Sequence, residues 1–176
     1  LVLKLPVTNK RNIISSIKLI ALETLPLIKP GQDLSKEIIK AISSESIEVD
    51  DGDVIAIAQK IVSKSENRYL DISLLSPSDE AITLSKQIDK DPKFIQAILN
   101  ESKKVVRYRM GVLIVEHKLG FIHANAGIDR SNIDQEQDIV LLLPEDPDAS
   151  AKAISKSLSK FFTKNISVII TDTMGR

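Results

Sequence analysis

Two aspartates that follow separate apolar runs carry the most distinctive chemistry in this sequence. Asp129 ends the segment Asn125-Ala126-Gly127-Ile128-Asp129, and Asp172 lies between two threonines after a strand-like run. Mixed folds often place functional residues in loops at strand ends. Carboxylates from separate loops suit magnesium or manganese, which fill their remaining positions with waters and substrate phosphates. Asx turns and turn caps are the alternative explanation, and spacing alone leaves both open.

Three cations form a further polar cluster after the apolar run Val54–Ala58: Lys60, Lys64 and Arg68. Beside a metal they would neutralise substrate phosphates; otherwise they are exposed cations at a strand end. The chain has no Walker loop, dinucleotide-binding glycine motif or serine nucleophile elbow. Any nucleotide is therefore held without a Walker loop. His117 and His123 are interpreted as packing residues of a hairpin and left out of the site.

Composition narrows the classes of partner. Lys and Arg number 24 and Asp and Glu also 24, so the net charge offers no general attraction to nucleic acid or anionic membrane. Aromatic residues make up 3% of the chain, which argues against base-stacking surfaces. The absence of cysteine excludes disulfides and thiol nucleophiles. No apolar run approaches the roughly 20 residues of a membrane helix. We expect a cytoplasmic protein without nucleic-acid or membrane partners.

The elements that must position these side chains alternate between strands and helices. Strands are predicted at residues 17–21, 54–58, 112–116, 121–124, 139–143 and 168–170. Helices are predicted after the caps Asp33, Ser76, Asp91 and Asp146. Phe161 is expected in the buried stripe of the last helix. The pattern predicts an α/β mixed (α+β) fold, a mixed sheet with packed helices and no clear linker.

Four segments occur in the order found in the coenzyme F-420 gamma-glutamyl ligases, and the chain resembles that family from about residue 20 to its end. The segments are Leu25-Pro26-Leu27-Ile28, Ile61-Val62-Ser63-Lys64-Ser65-Glu66, Asn125-Ala126-Gly127-Ile128-Asp129 and Thr171-Asp172-Thr173-Met174-Gly175-Arg176. The resemblance implies a gamma-glutamyl ligase-like fold. We expect residues 17–176 to be the amino-terminal portion of that fold, incomplete at its carboxyl end, and residues 1–16 to be an extension of unknown role.

The resemblance also implies a reaction. GTP and magnesium or manganese activate the lactyl carboxylate of the glutamate-free coenzyme precursor as an acyl phosphate, which the amine of L-glutamate attacks. The implied substrates are small molecules: the deazaflavin precursor, L-glutamate and GTP. A monovalent cation is a further implied cofactor, and a homodimer the implied assembly. No catalytic side chain is assigned, and this portion alone is expected to lack part of the site. A noncatalytic nucleotide- or metabolite-binding domain is the alternative.

By motif position, the resemblance implies both a nucleotide site and a metal site. The residues implied for the guanine nucleotide are Leu25, Pro26, Leu27, Ile28, Gln59, Lys60, Lys64 and Asn132. Asp129 and Asp172 resemble the metal-binding carboxylates, and Thr173 a ligand of a second ion. The family's usual glycines are replaced here by Thr24 and Asn67. Asn tolerates left-handed backbone, whereas the Cβ of Thr24 is expected to weaken or reshape nucleotide binding.

Overall fold

A computed structural model describes residues 1–4, 17–130 and 138–172, and within them the chain forms two compact units. Unit 1 combines Leu1–Asn67 with Pro144–Asp172, and unit 2 is Arg68–Leu143. Each unit packs helices on β-sheet, which confirms the predicted mixed α+β class. In these described ranges, no helix has the length and apolarity that a membrane span requires.

Unit 1 is built on a four-stranded mixed sheet. Its strands, in the spatial order β2-β1-β3-β9, are β2 (Lys18–Ile20), β1 (Val2–Lys4), β3 (Val54–Ala58) and β9 (Ser167–Thr171). β1 is antiparallel to β2 and to β3, whereas β3 and β9 are parallel. The first residues of the chain therefore supply a strand inside this sheet.

Three helices cover the core of unit 1: α1 (Leu34–Ser44), α2 (Gln59–Ser65) and α5 (Pro147–Phe162). α1 begins after Asp33 as predicted. In α5, Ile154 and Leu158 are buried, and Phe162 packs against the same core. The prediction that Phe161 is a core residue is wrong, since its exposed fraction is 58%. The buried stripe runs in steps of four through 154, 158 and 162, which leaves position 161 outside it.

The described residues of unit 2 form two α-helices and two small antiparallel sheets. The elements are β4 (Tyr69–Asp71) paired with β8 (Ile139–Leu141), helices α3 (Asp79–Ile88) and α4 (Pro92–Asn100), and the sheet of β5 (Ser102–Arg109), β6 (Val112–His117) and β7 (Ile122–Ala124). The predicted cap Ser76 is wrong by two residues. The hydroxyl of Ser78 accepts from Ala81 N at 3.2 Å, and the acidic pair that follows Ser78 favours a helix start there.

Candidate functional site

Predicted site residues of unit 1 meet at one edge of its sheet. β3 and β9 are parallel neighbours, and Ala58 at the end of β3 is paired with Thr171 at the end of β9. Gln59 and Asp172 directly follow these two partners, so both leave the sheet at its carboxyl-terminal edge. Sheets with parallel strands commonly bind ligands at this edge. The exposed carboxylate of Asp172 is thus placed beside the start of α2.

The cations predicted to contact the nucleotide lie on α2. Lys60 and Lys64 are half-buried and one helical turn apart, so they share a face of this helix. Gln59 is buried, and its amide oxygen accepts a hydrogen bond from the Ser63 hydroxyl at 3.0 Å. The Gln59 side chain is therefore committed to the helix. The ammonium groups of the two lysines are of the kind that binds phosphate oxygens.

The segment of residues 25–28 lies on the surface of unit 1 and is anchored at both ends. Leu25 and Ile28 pack against the core, while the exposed fraction of Leu27 is 89%. Just beyond, Gly31 N donates to the carbonyl oxygen of Ser65 at 2.9 Å, which ties this loop to the end of α2. The structure therefore brings the loop and the helix of Lys64 together.

The structure shows what Thr24 and Asn67 do at the two positions where the resemblance implies glycine. The backbone N–H and the hydroxyl of Thr24 each donate to Glu45 Oε1 at 2.7 Å, which holds the start of the loop against the end of α1. These bonds keep the pKa of the Glu45 carboxyl below its usual range. Asn67 has φ +55°, which confirms that this position uses the left-handed tolerance of asparagine.

In unit 2 the motif before Asp129 forms a left-handed turn. Asn125, Ala126 and Gly127 have φ values of 50°, 54° and 68°, and Ala126 is fully buried. A residue with a side chain costs about 1–2 kcal/mol in this region. A Cβ on Gly127 would lie 2.8 Å from Leu143 Cδ1, so glycine is required there. Backbone strain held in place by close packing is characteristic of ligand sites.

Asp129 follows this turn and is fixed through its backbone. Its N–H donates to Leu141 O at 2.9 Å and its carbonyl accepts from Leu141 N at 3.0 Å, which holds the half-buried residue beside β8. Within the ranges that the structure describes, no three His, Asp or Glu side chains converge as a metal site. Magnesium commonly takes one or two carboxylates together with waters and phosphates. Asn132 and Thr173 lie outside the described residues.

Arg68 is predicted, with the two lysines of α2, to be a phosphate-neutralising or exposed cation, but its guanidinium is bound within unit 2. Its Nε donates to Leu143 O at 2.8 Å and its Nη2 to Glu101 Oε2 at 3.1 Å, so Arg68 ties distant segments of unit 2 together. His117 is buried and stacked on Phe121, with ring centroids 5.1 Å apart. Burial lowers the pKa of His117 to about 4. Burial and stacking confirm its packing role, and the lowered pKa keeps the ring neutral near pH 7.

Comparisons with known proteins give a consistent result. The family model described as F420-0:Gamma-glutamyl ligase matches residues 23–176. The chain is 39% identical over 160 residues to a coenzyme F420:L-glutamate ligase of Methanothermobacter thermautotrophicus, and 41% identical over 160 residues to one of Methanocaldococcus jannaschii. Each alignment covers 91% of this chain, but only 63% and 61% of the respective relatives. The chain thus spans about three fifths of the length of these curated relatives.

Proposed function

This chain belongs to the F420-0:gamma-glutamyl ligase family. From that premise we propose that it is part of a ligase that joins L-glutamate to the coenzyme F420 precursor by an amide bond. GTP gives its terminal phosphoryl group to the carboxylate of the glutamate-free precursor. The amine of L-glutamate then displaces phosphate from the acyl phosphate, loses a proton and forms the amide bond. The proposal includes a homodimer as the working assembly.

The observation that carries the proposal is the shared edge of β3 and β9. At this edge the start of α2, which carries Lys60, and Asp172 directly follow paired strand ends, and Lys64 lies one helical turn farther along α2. A phosphoryl-transfer enzyme needs cations against the nucleotide phosphates and carboxylates to hold a divalent ion. A lysine ammonium and an aspartate carboxylate both lie at this edge, and the sequence contains no Walker loop.

The donor chemistry of the predicted metal residues fits magnesium or manganese. Asp172 offers an exposed carboxylate and Asp129 a half-buried one, and hard oxygen donors of this kind are what these ions take. When bound, the ion supplies positive charge that offsets the charge of the transferring phosphoryl group. In this proposal Lys60 and Lys64 neutralise the nucleotide phosphates, and we assign to the exposed side chain of Leu27 an apolar contact with the base.

Mass analysis tests the activity directly. The chain is incubated with GTP, magnesium or manganese, L-glutamate and the glutamate-free deazaflavin precursor, in parallel with a version extended at its carboxyl end. A precursor heavier by glutamyl units supports the proposal. A gain with the extended version alone would place missing parts of the site beyond residue 176. No gain with either would refute the ligase and favour a noncatalytic nucleotide- or metabolite-binding domain.

Manganese binding tests the site residues separately. We expect Asp129→Asn and Asp172→Asn each to weaken manganese binding, measured by the paramagnetic resonance signal of free ion. Matched controls are Asp79→Asn in unit 2 and Asp148→Asn in unit 1, both exposed aspartates in the first turn of a helix. Unchanged affinity in both site variants, with folding intact, would refute the metal assignment.

A further inference from the structure

A cleft in unit 2 is lined by side chains to which no nucleotide or metal role has been assigned. It opens where the end of α3, the start of α4 and the left-handed turn meet, and we name it the α3–α4 cleft. Its volume is about 390 Å³, within the range of small-molecule sites. The side chains that give the cleft its chemistry are Asp89, Lys90, Asp91, Phe94, Asn125 and Arg130.

Two cations of the cleft are held on one aromatic ring. Lys90 Nζ lies 5.2 Å and Arg130 Cζ 4.7 Å from the centroid of the Phe94 ring. Phe94 is buried, with an exposed fraction of 4%, so its position is fixed by the core. Lys90 Nζ also donates to Asn125 Oδ1 at 3.2 Å. Cation–π contacts and this bond keep both positive groups at the cleft.

Among the described residues, no carboxylate pairs with either cation. Across the described residues, the side-chain contacts of Lys90 are Phe94 and Asn125, that of Arg130 is Phe94, and neither cation forms an ion pair. Burial, and then the charge of Arg130, lower the pKa of Lys90. Two cations at one cleft, one of them partly desolvated, favour binding of an anion there.

Two carboxylates in the same cleft restrict which anion fits. Asp91 caps α4 by accepting from Lys93 N at 2.8 Å, and Asp89 ends α3 in a left-handed conformation with φ 54°. Both line the cleft without pairing to its cations. They would repel a multiply charged phosphate but would attract an ammonium group. Two cations and two carboxylates complement a ligand with two carboxylates and one ammonium.

We propose that the α3–α4 cleft binds an acidic α-amino acid, with its carboxylates on Lys90 and Arg130 and its ammonium toward Asp89 and Asp91. This inference rests on the proposed function, in which L-glutamate is the amine substrate. Arg130 directly follows Asp129 in the chain, so the cleft adjoins the candidate metal ligand.

Calorimetric titration with L-glutamate alone tests the cleft. We expect Lys90→Met and Arg130→Met each to weaken binding about tenfold to hundredfold, since each removes a charged hydrogen-bond donor and keeps an apolar stem. Lys86→Met is the matched control: this exposed lysine on α3 does not line the cleft, and its removal should leave affinity unchanged. Glutarate, which lacks the ammonium, should bind more weakly than L-glutamate.

Three results would overturn the proposal. They are no L-glutamate binding to the unsubstituted chain, unchanged affinity in both cleft variants, or displacement of L-glutamate by inorganic phosphate at equal concentration. Should Lys90→Met fail to fold, the exposed Arg130 variant decides the test. The titration contains no GTP, metal or precursor. If ligation fails while glutamate binding still depends on the cleft residues, the ligase is refuted and the cleft proposal is retained.

Discussion

Replacing Gly127 by alanine measures how tightly the turn before Asp129 is packed. The new Cβ would lie 2.8 Å from Cδ1, 3.0 Å from Cγ and 3.1 Å from Cδ2 of Leu143, so the whole isobutyl group would have to move. Leu143 has an exposed fraction of 4%, which leaves it little room. The left-handed φ of +68° adds a conformational cost of about 1–2 kcal/mol for alanine. With about 1–3 kcal/mol for overpacking, the expected loss in the free energy of unfolding is about 2–5 kcal/mol.

Gly111→Ala is the matched control within the same unit. Gly111 has φ +76°, and a Cβ there meets nothing within 4 Å, so only the conformational cost of about 1–2 kcal/mol applies. The amount by which Gly127→Ala lowers the free energy of unfolding more than Gly111→Ala does therefore measures the contact with Leu143. Combining Gly127→Ala with Leu143→Ala should recover part of the excess, since the two substitutions share this contact.

Urea unfolding followed by tyrosine fluorescence is the assay. The chain has two tyrosines and no tryptophan, and Tyr69 and Tyr108 both belong to unit 2. The fluorescence change therefore reports the unit that contains both glycines. Equal losses for Gly127→Ala and Gly111→Ala, within about 0.5 kcal/mol, would refute the claim that packing against Leu143 requires glycine.

Three further substitutions test other features of the two units. Arg68→Met removes donors to Glu101 and to a backbone carbonyl, and should destabilise unit 2 by about 1.5–3 kcal/mol in urea unfolding, with Arg68→Lys intermediate. His117 has its pKa lowered from 6.5 to about 4, so its contribution is complete above pH 6.5 and is lost as the pH falls toward 4. His117→Asn should therefore flatten the pH dependence of unfolding over that window by at most about 3 kcal/mol; an unchanged slope would contradict neutral burial. Asp33→Ala should cost about 0.5–2 kcal/mol because Asp33 accepts from Lys36 N at 3.2 Å, whereas Asp33→Asn should cost little.

Local chemistry explains the elements that sequence predicted well. Asp33, Asp91 and Asp146 each cap a helix by accepting a backbone N–H, and proline begins the helix after the last two. Val54–Ala58 is a short β-rich run, and it forms β3 with those bounds. Caps and short apolar runs act over a few residues, so a single sequence displays them fully.

Four of these helices and strands were not predicted: β1, α2, β4 and β5. Two of them, α2 and β5, show why, because their stability comes from tertiary context. α2 has seven residues, and its cap residue Ala58 makes no side-chain hydrogen bond, so no start is visible in the sequence. β5 is an edge strand that carries Lys103, Lys104, Arg107 and Arg109 on a largely exposed surface. Charged residues on an edge strand prevent unwanted pairing but hide the alternation that predicts a strand.

The candidate site was likewise only partly predictable from the sequence. Sequence order and resemblance singled out Asp129 and Asp172, but only the pairing of β3 with β9 shows that Asp172 and the start of α2 share an edge. The α3–α4 cleft was invisible in sequence, because Lys90 and Arg130 are 40 positions apart and meet only on the ring of Phe94. Such convergence depends on packing between elements, which no local pattern encodes.

Phosphate release from GTP tests the central claim most directly, in the chain and in a version extended at its carboxyl end. We expect release that requires both L-glutamate and the glutamate-free precursor, together with magnesium or manganese. Asp172→Asn should abolish it, and the matched Asp148→Asn should retain it. Phosphate release that does not require L-glutamate, or that persists in Asp172→Asn, would contradict a glutamate ligase whose site lies at the edge of β3 and β9.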